Sequence, residues 1–198
     1  MYKLDDIDRQ IINLLGNDAR ISLSEIGREL NLSHVTIRNR LINLFNNNFV
    51  KTQVLVNILK LNIEVVHLLI QTEGATSTRE LIDRYKNCPR IIQISTILGQ
   101  FDLIVTVFAE DKSQLETVLR ACILRTSQGI RNSSILTVGR LVSPPYFPIK
   151  FIKPCESETP CGLKCSDCRE YKLENCLGCP ATSTYKGLFN VYLEQMNR

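Results

Sequence analysis

Residues 63 to 142 alternate two kinds of apolar pattern, and this alternation limits the possible folds more than any other feature of the sequence. Continuous apolar runs of strand length, such as EVVHLLIQ, IIQISTIL and DLIVTVFA, are interleaved with helical patterns, STRELIDRYKN and DKSQLETVLRACILRTS. The order strand, helix, strand, strand, helix, strand is that of a ferredoxin-like sandwich, an antiparallel sheet with two helices on one face. Because the strands are apolar on both sides, the other face also needs a cover, most simply a second subunit.

Residues 4 to 60 carry three helical patterns followed by an extended one. Ser22 and Glu25 have the spacing of a capping box for the second helix, and Ser33 is placed to cap the third. Asn31 lies in the turn between these helices, and Asn tolerates the left-handed backbone that such a turn often needs. The stretch FVKTQVLVNILKL is rich in β-branched residues and predicts a two-stranded wing.

Two short helices, a tight turn and a longer third helix form a helix-turn-helix, in which the third helix lies in the DNA major groove. Residues 30 to 63 contain four basic residues and no acidic one, as expected of a surface that faces phosphate. If Ile37, Leu41 and Leu44 point inward, the outward arc offers groups suited to base edges and phosphates. The predicted DNA-contacting residues are Ser33, Val35, Thr36, Arg38, Asn39, Arg40, Asn43 and Lys51. A three-helix bundle that binds no DNA is the alternative.

The C-terminal segment holds six of the eight cysteines of the chain, with the spacing C-x5-C-x3-C-x2-C-x7-C-x2-C. Two C-x2-C pairs can place four thiolates around one zinc ion, whose binding would supply much of the folding energy of this segment. An iron–sulfur cluster is the second interpretation, because C-x3-C-x2-C is a cluster-loop spacing and Cys179-Pro180 resembles the end of a ferredoxin motif. Three disulfides are the third. The predicted metal ligands are Cys155, Cys161, Cys165, Cys168, Cys176 and Cys179.

The remaining cysteines and the histidines suggest no catalytic chemistry. Cys122 lies on the apolar stripe of its helix and is expected in the core, and Cys88 precedes Pro89 in a loop. The only histidines are His34 and His67, and the sequence has no Ser-His-Asp order or phosphate-binding glycine loop. The chain is therefore not expected to be an enzyme.

The sequence divides into four parts, and the protein is expected in the cytoplasm. The 198 residues are 44% hydrophobic, 22% charged and carry a net charge of +4. No run reaches the 18 apolar residues of a membrane helix, and the N-terminus is unlike a signal peptide. The expected divisions are a winged helix-turn-helix at 1–61, a ferredoxin-like domain at 62–142, a proline-rich linker or wrapping arm at 143–154, and a cysteine-rich module with a C-terminal helix at 155–198. In a reducing compartment, clustered cysteines favour metal over disulfides.

The first 142 residues resemble the Lrp/AsnC family of leucine-responsive regulators. The resemblance rests on LDDIDRQIINLLGNDARISLSEIGRELNLSHVTIRNRLINLFNNNFV and on the strand-turn-strand element LGQFDLIV. The family usually has glycine where this chain has Asn31 and Asn48. The resemblance implies an α+β regulator that binds double-stranded DNA and forms homodimers or larger even-numbered oligomers. It also implies an effector, often an amino acid, at the turn formed by Gly99, Gln100, Phe101 and Asp102.

Two other functions remain open for this two-domain plan. Some proteins with the plan are enzymes of tetrapyrrole metabolism, and a metal-dependent adaptor that binds no DNA would use only the cysteine-rich module. The family resemblance gives no account of that module. A closed four-thiolate zinc site is usually structural. A role in sensing metal or oxidant is the alternative, because metal loss would unfold the segment.

Overall fold

The computed structural model of the protein describes residues 2–121, 127–151, 159 and 161–189. The chain divides into two units, and the division falls between Val54 and Leu55. The first unit is helical, whereas the second contains the sheet and the cysteine-rich segment. Among the described residues, no helix is long and apolar enough to cross a membrane.

The first unit consists of three helices around a small apolar core. The helices are α1 (Asp6–Asn17), α2 (Leu23–Glu29) and α3 (His34–Asn46). Their apolar stripes meet at residues that are fully or almost fully buried, as the sequence predicted for α3. The buried apolar residues are Ile11, Ile26, Ile37, Leu41 and Leu44.

Local hydrogen bonds fix where these helices begin and how they turn. The predicted capping box of α2 is confirmed: the Glu25 amide donates to Ser22 Oγ at 3.1 Å, and the Ser22 amide donates to Glu25 Oε2 at 2.9 Å. Asn31 and Asn48 both have a left-handed backbone, with φ of 52° and 58°, which confirms that asparagine tolerates these turns. Gly27 allows the α2–α3 turn to close, because a Cβ there would lie 2.7 Å from the carbonyl oxygen of Leu32.

The predicted two-stranded wing is wrong. Residues 50–55 form no strand, and β1 (Val56–Asn57) belongs to the second unit. β1 pairs antiparallel with β6 (Tyr146–Phe147) instead of folding back on its own segment. The 3-10 turn Ile58–Leu61 follows and buries Ile58, so Val56, Ile58 and Leu61 belong to the core of the second unit.

The second unit contains a four-stranded antiparallel sheet with the order β3-β4-β2-β5. Its strands are β2 (Glu64–Thr72), β3 (Ile91–Thr96), β4 (Leu103–Ala109) and β5 (Ile130–Thr137). Helices α4 (Ala75–Tyr85) and α5 (Lys112–Ala121) pack on one face. This order and the single helical face confirm the predicted ferredoxin-like sandwich.

The opposite face of the sheet is covered in part by the chain itself. Val65 and Phe108 form a core with Ile149 from the proline-rich segment and with Tyr185 and Phe189 from the C-terminal segment. The predicted cover on this face is therefore supplied in part by the chain's own segments, and the second subunit expected there stays a prediction. On the neighbouring strand β5, Leu136 of the same face remains about half exposed.

The cysteine-rich segment packs against the sheet as part of the second unit. It contains a 3-10 turn at Cys165–Asp167 and a short helix, α6 (Arg169–Lys172). Cys122 and Cys155 lie outside the described residues, as does the predicted C-terminal helix beyond Phe189.

Candidate nucleic-acid interface and cysteine cavity

The outer surface of α3 presents most of the predicted DNA-contacting side chains together. Val35, Arg38, Asn39 and Asn43 are exposed on this helix, and Lys51 is exposed after it. Thr36 is half-buried. Ser33 caps the helix, since its Oγ accepts a hydrogen bond from the Thr36 amide at 3.1 Å. The inward stripe holds the helix against α1 and α2, so the exposed arc is supported by a packed scaffold.

Arg40 has a different environment from the one its sequence position suggested. Its guanidinium lies 2.6 Å from Asp5 and 3.0 Å from Asp8, and Asp8 is fully buried. The same two aspartates form the capping box of α1, and Tyr2 donates a hydrogen bond to Asp8 at 2.7 Å. The hydrogen bond from the Asp8 amide and the contact with Arg40 hold the pKa of Asp5 below its usual value. The DNA contact predicted for Arg40 is thus opposed by an ion pair that fixes α3 to α1.

The turn between β3 and β4 contains the four residues predicted to bind an effector. Gly99 has a positive φ of 136° and is exposed, as is Gln100. Asp102 is tied to the end of β2, because its Oδ2 accepts hydrogen bonds from the amide of Thr72 at 2.7 Å and from its hydroxyl at 3.0 Å. The turn is therefore fixed by Asp102, while Gly99 and Gln100 face solvent.

Five of the six predicted metal-ligating cysteines line one cavity of about 100 Å³ in the second unit. They are Cys161, Cys165, Cys168, Cys176 and Cys179. Cys88, from the loop after α4, lines the same cavity, which sequence reasoning did not anticipate. The other walls are largely apolar and include Val118, Leu163 and Tyr171. None of these six cysteines is in a disulfide, so the structure gives no support to the disulfide interpretation for them.

The thiols of Cys176 and Cys179 are half-buried where they line this cavity. Burial raises the pKa of Cys176, and it raises the pKa of Cys179 to about 11. The nearby guanidinium of Arg90 acts in the opposite direction on both thiols.

A buried polar network holds the cysteine-rich segment on the sheet. Arg90 pairs with Glu110 through two hydrogen bonds of 2.7 and 3.0 Å, and it also donates to the carbonyl oxygen of Gly178 at 3.0 Å. Tyr185 donates a hydrogen bond to Glu110. Burial opposes the charge of Arg90, but the hydrogen bonds to Glu110 outweigh it and raise the pKa of this arginine.

Gln114 adds a second attachment between the sheet domain and the segment. Its side chain accepts from the Leu177 amide at 3.0 Å and donates to the carbonyl oxygen of Asn175 at 3.2 Å. Sequence reasoning missed Arg90, Glu110 and Gln114. In the sequence, Arg90 is a charged residue directly before β3 and Glu110 is one directly after β4. These positions alone do not indicate that the two residues pair with each other.

Both structural units match known family models. Residues 4–44 match the AsnC-type helix-turn-helix domain, and residues 65–143 match the Lrp/AsnC ligand binding domain. The two matched ranges end before the cysteine-rich segment.

Relatives and solved structures cover the same part of the chain. An uncharacterised HTH-type transcriptional regulator of Pyrococcus abyssi is 30% identical over 138 residues, which is 68% of this chain and 87% of the relative. An HTH-type transcriptional regulator of Mycobacterium tuberculosis is 29% identical over 151 residues, covering 73% of this chain and all of the relative. A transcriptional regulator of Neisseria meningitidis in complex with L-Met has a similar fold, with a TM-score of 0.63, 16% identity and coverage of 72% of this chain and 94% of that chain.

Proposed function

The chain belongs to the Lrp/AsnC family of DNA-binding transcription regulators, and we propose that it reads its operator through the exposed arc of α3. The residues assigned to this interface are Ser33, Val35, Thr36, Arg38, Asn39, Asn43 and Lys51. Since the relatives are transcription regulators, an enzyme of tetrapyrrole metabolism is not favoured.

The exposed arc of α3 carries this proposal. Asn39 and Asn43 are exposed one turn apart on the helix, and an asparagine amide can pair with both acceptor and donor groups of adenine. Arg38 lies beside them and can take guanine or phosphate. Because Arg40 already pairs with Asp5 and Asp8, we assign it to positioning α3 rather than to DNA.

The first experiment selects preferred duplexes from a random library and then measures affinity by fluorescence anisotropy at several salt concentrations. Asn39→Ala should lose about 1–3 kcal/mol of discrimination at one base pair. Lys51→Ala should weaken all duplexes alike and reduce the salt slope by about one. Asn13→Ala, an exposed asparagine on α1, is the matched control and should change neither. If the wild-type protein shows no salt-dependent duplex binding, the adaptor function replaces the regulator.

We propose further that the ferredoxin-like domain forms homodimers or larger even-numbered oligomers and that an amino acid binds beside the β3–β4 turn. Support comes from the matched ligand binding domain and from the similar fold of the L-Met complex. Asp102 would hold the turn, and Gly99, Gln100 and Phe101 would lie beside the ligand. Isothermal titration with a panel of amino acids tests this site. Gln100→Ala should weaken binding, whereas an undiminished heat signal in this variant would remove the turn from the site.

The cysteine cavity supports a second function, which is to bind a metal centre. The donors are five soft thiols brought to one cavity, the ligand type that zinc and iron–sulfur clusters share. Cys155 stays a predicted ligand that lies outside the described residues. Elemental analysis of anaerobically purified protein tests metal binding. Operator affinity measured with and without a chelator tests whether the centre is a sensor or only structural, since equal affinities would exclude sensing.

A further inference from the structure

The arrangement of the cysteines around their cavity distinguishes between the metal centres that thiols can hold. Tetrahedral zinc holds four thiolates at about 2.3 Å from one point, so the sulfurs crowd together and leave no space between them. The described residues here include five cysteines of the segment, and they line a cavity of about 100 Å³. The thiols therefore lie around a space, whereas four thiolates on a single zinc ion would leave none.

We propose that the cavity holds a polynuclear iron–sulfur cluster rather than one zinc ion. This inference rests on the proposed metal-binding function and specifies its occupant. In a cluster, each thiolate binds a different iron atom at the periphery, so the sulfurs surround a volume instead of a point. Each ligating thiol would give up its proton to solvent as its sulfur binds iron.

The positions of the cysteines agree with sulfurs that surround a volume. Cys161, Cys165 and Cys168 from the first half of the motif and Cys176 and Cys179 from the second half all line the cavity. The two halves of the motif thus meet at one cavity, and the segment supplies enough thiols for a four-cysteine cluster.

The surroundings suit an anionic cluster in a low-dielectric site. Val118 and Leu163 contribute apolar side chains to the wall of the cavity. The Gly178 amide donates to the sulfur of Cys176 at 3.4 Å, and hydrogen bonds to sulfur of this kind tune cluster potentials. The buried guanidinium of Arg90 supplies positive charge beside Cys176 and Cys179.

Cys88 connects this site to the body of the sheet domain. It lies in the loop between α4 and β3, and its carbonyl oxygen accepts a hydrogen bond from the Ile91 amide at 3.1 Å. Since Cys88 and Val118 both line the cavity, the cluster would contact the ferredoxin-like domain as well as the segment. Cluster binding would then stabilise the attachment of the segment to the sheet.

The test uses full-length protein purified without oxygen from cells supplied with both iron and zinc. We expect a brown protein with a broad absorption band near 400 nm and with iron and acid-labile sulfide in equal amounts, about two to four of each per chain. Cys165→Ser should lose both iron and sulfide. Ser166→Ala, at the neighbouring exposed position, should keep both. Circular dichroism and thermal unfolding show whether the Cys165→Ser protein is still folded.

Two outcomes would overturn the inference, and they differ in what else they remove. About one zinc per chain, with no iron or sulfide even after reconstitution, would refute the cluster and leave the metal-binding function standing. No metal of either kind after reconstitution would refute the metal-binding function as well. Neither outcome affects the DNA-binding proposal, because the interface on α3 lies in the other unit.

Discussion

The helix-turn-helix unit and the cysteine-rich segment are stabilised in different ways. The first unit buries continuous apolar stripes from three helices and closes its turns with local caps. The segment has few apolar residues and is attached through buried polar groups, Arg90, Glu110 and Gln114, with Phe189 as an apolar anchor. The comparison suggests that one region specifies its own fold, whereas the other depends on partners that lie far away in the sequence.

The strongest test of this difference is Glu110→Gln, which removes the charge opposite Arg90. The side chains of Arg90 and Glu110 are only 9% and 5% exposed, so the arginine would be left as an uncompensated buried charge. We expect the second unit to lose about 3–5 kcal/mol of unfolding free energy. Urea denaturation measures the loss, and amide hydrogen exchange shows whether residues 161–189 lose protection first.

The matched control is Glu80→Gln on α4, where the glutamate is exposed. It removes the same charge from the same unit and should change stability by less than about 0.5 kcal/mol. If both variants are equally stable, the buried ion pair does not hold the segment, and its attachment must come from the apolar contacts around Phe189.

The corresponding test in the first unit is Leu44→Ala. Leu44 is fully buried between the helices, so its truncation leaves a cavity and should cost about 2–5 kcal/mol. Hydrogen exchange should speed up in residues 6–46 and stay unchanged in the segment. Ile42→Ala, at an apolar residue of the same helix that is 44% exposed, is the control for side-chain size and should cost much less. Equal losses in both variants would contradict the assigned inward face of α3.

These two regions also differ in how far the sequence predicted them. Helical spacing and capping residues identified Ile37, Leu41, Leu44 and Ser22 correctly, because each of these signals involves residues within one or two turns. The prediction of a wing failed because Val56 pairs with Phe147, and nothing in the sequence near either residue indicates that pairing. The Arg90–Glu110 pair and the position of Cys88 in the cavity were missed for the same reason. The spacing of the six cysteines predicted a cluster of thiols but could not say whether they surround a point or a volume.

The smallest expected effect concerns the two asparagines in left-handed turns. Asn31 has a φ of 52°, a conformation in which alanine is strained and glycine is not. Asn31→Ala should therefore destabilise the first unit by about 1 kcal/mol, and Asn31→Gly should be neutral or slightly stabilising. Thermal unfolding of the two variants measures the difference.

Asn13→Ala, within α1, is the helical control and should not be destabilising, because alanine is the better helix former. If Asn31→Ala is as stable as Asn31→Gly, the backbone of this turn does not require a residue that tolerates positive φ. The close fit of α3 on α2 would then depend on Gly27 rather than on Asn31, since only Gly27 has a backbone oxygen within 2.7 Å of where a Cβ would lie.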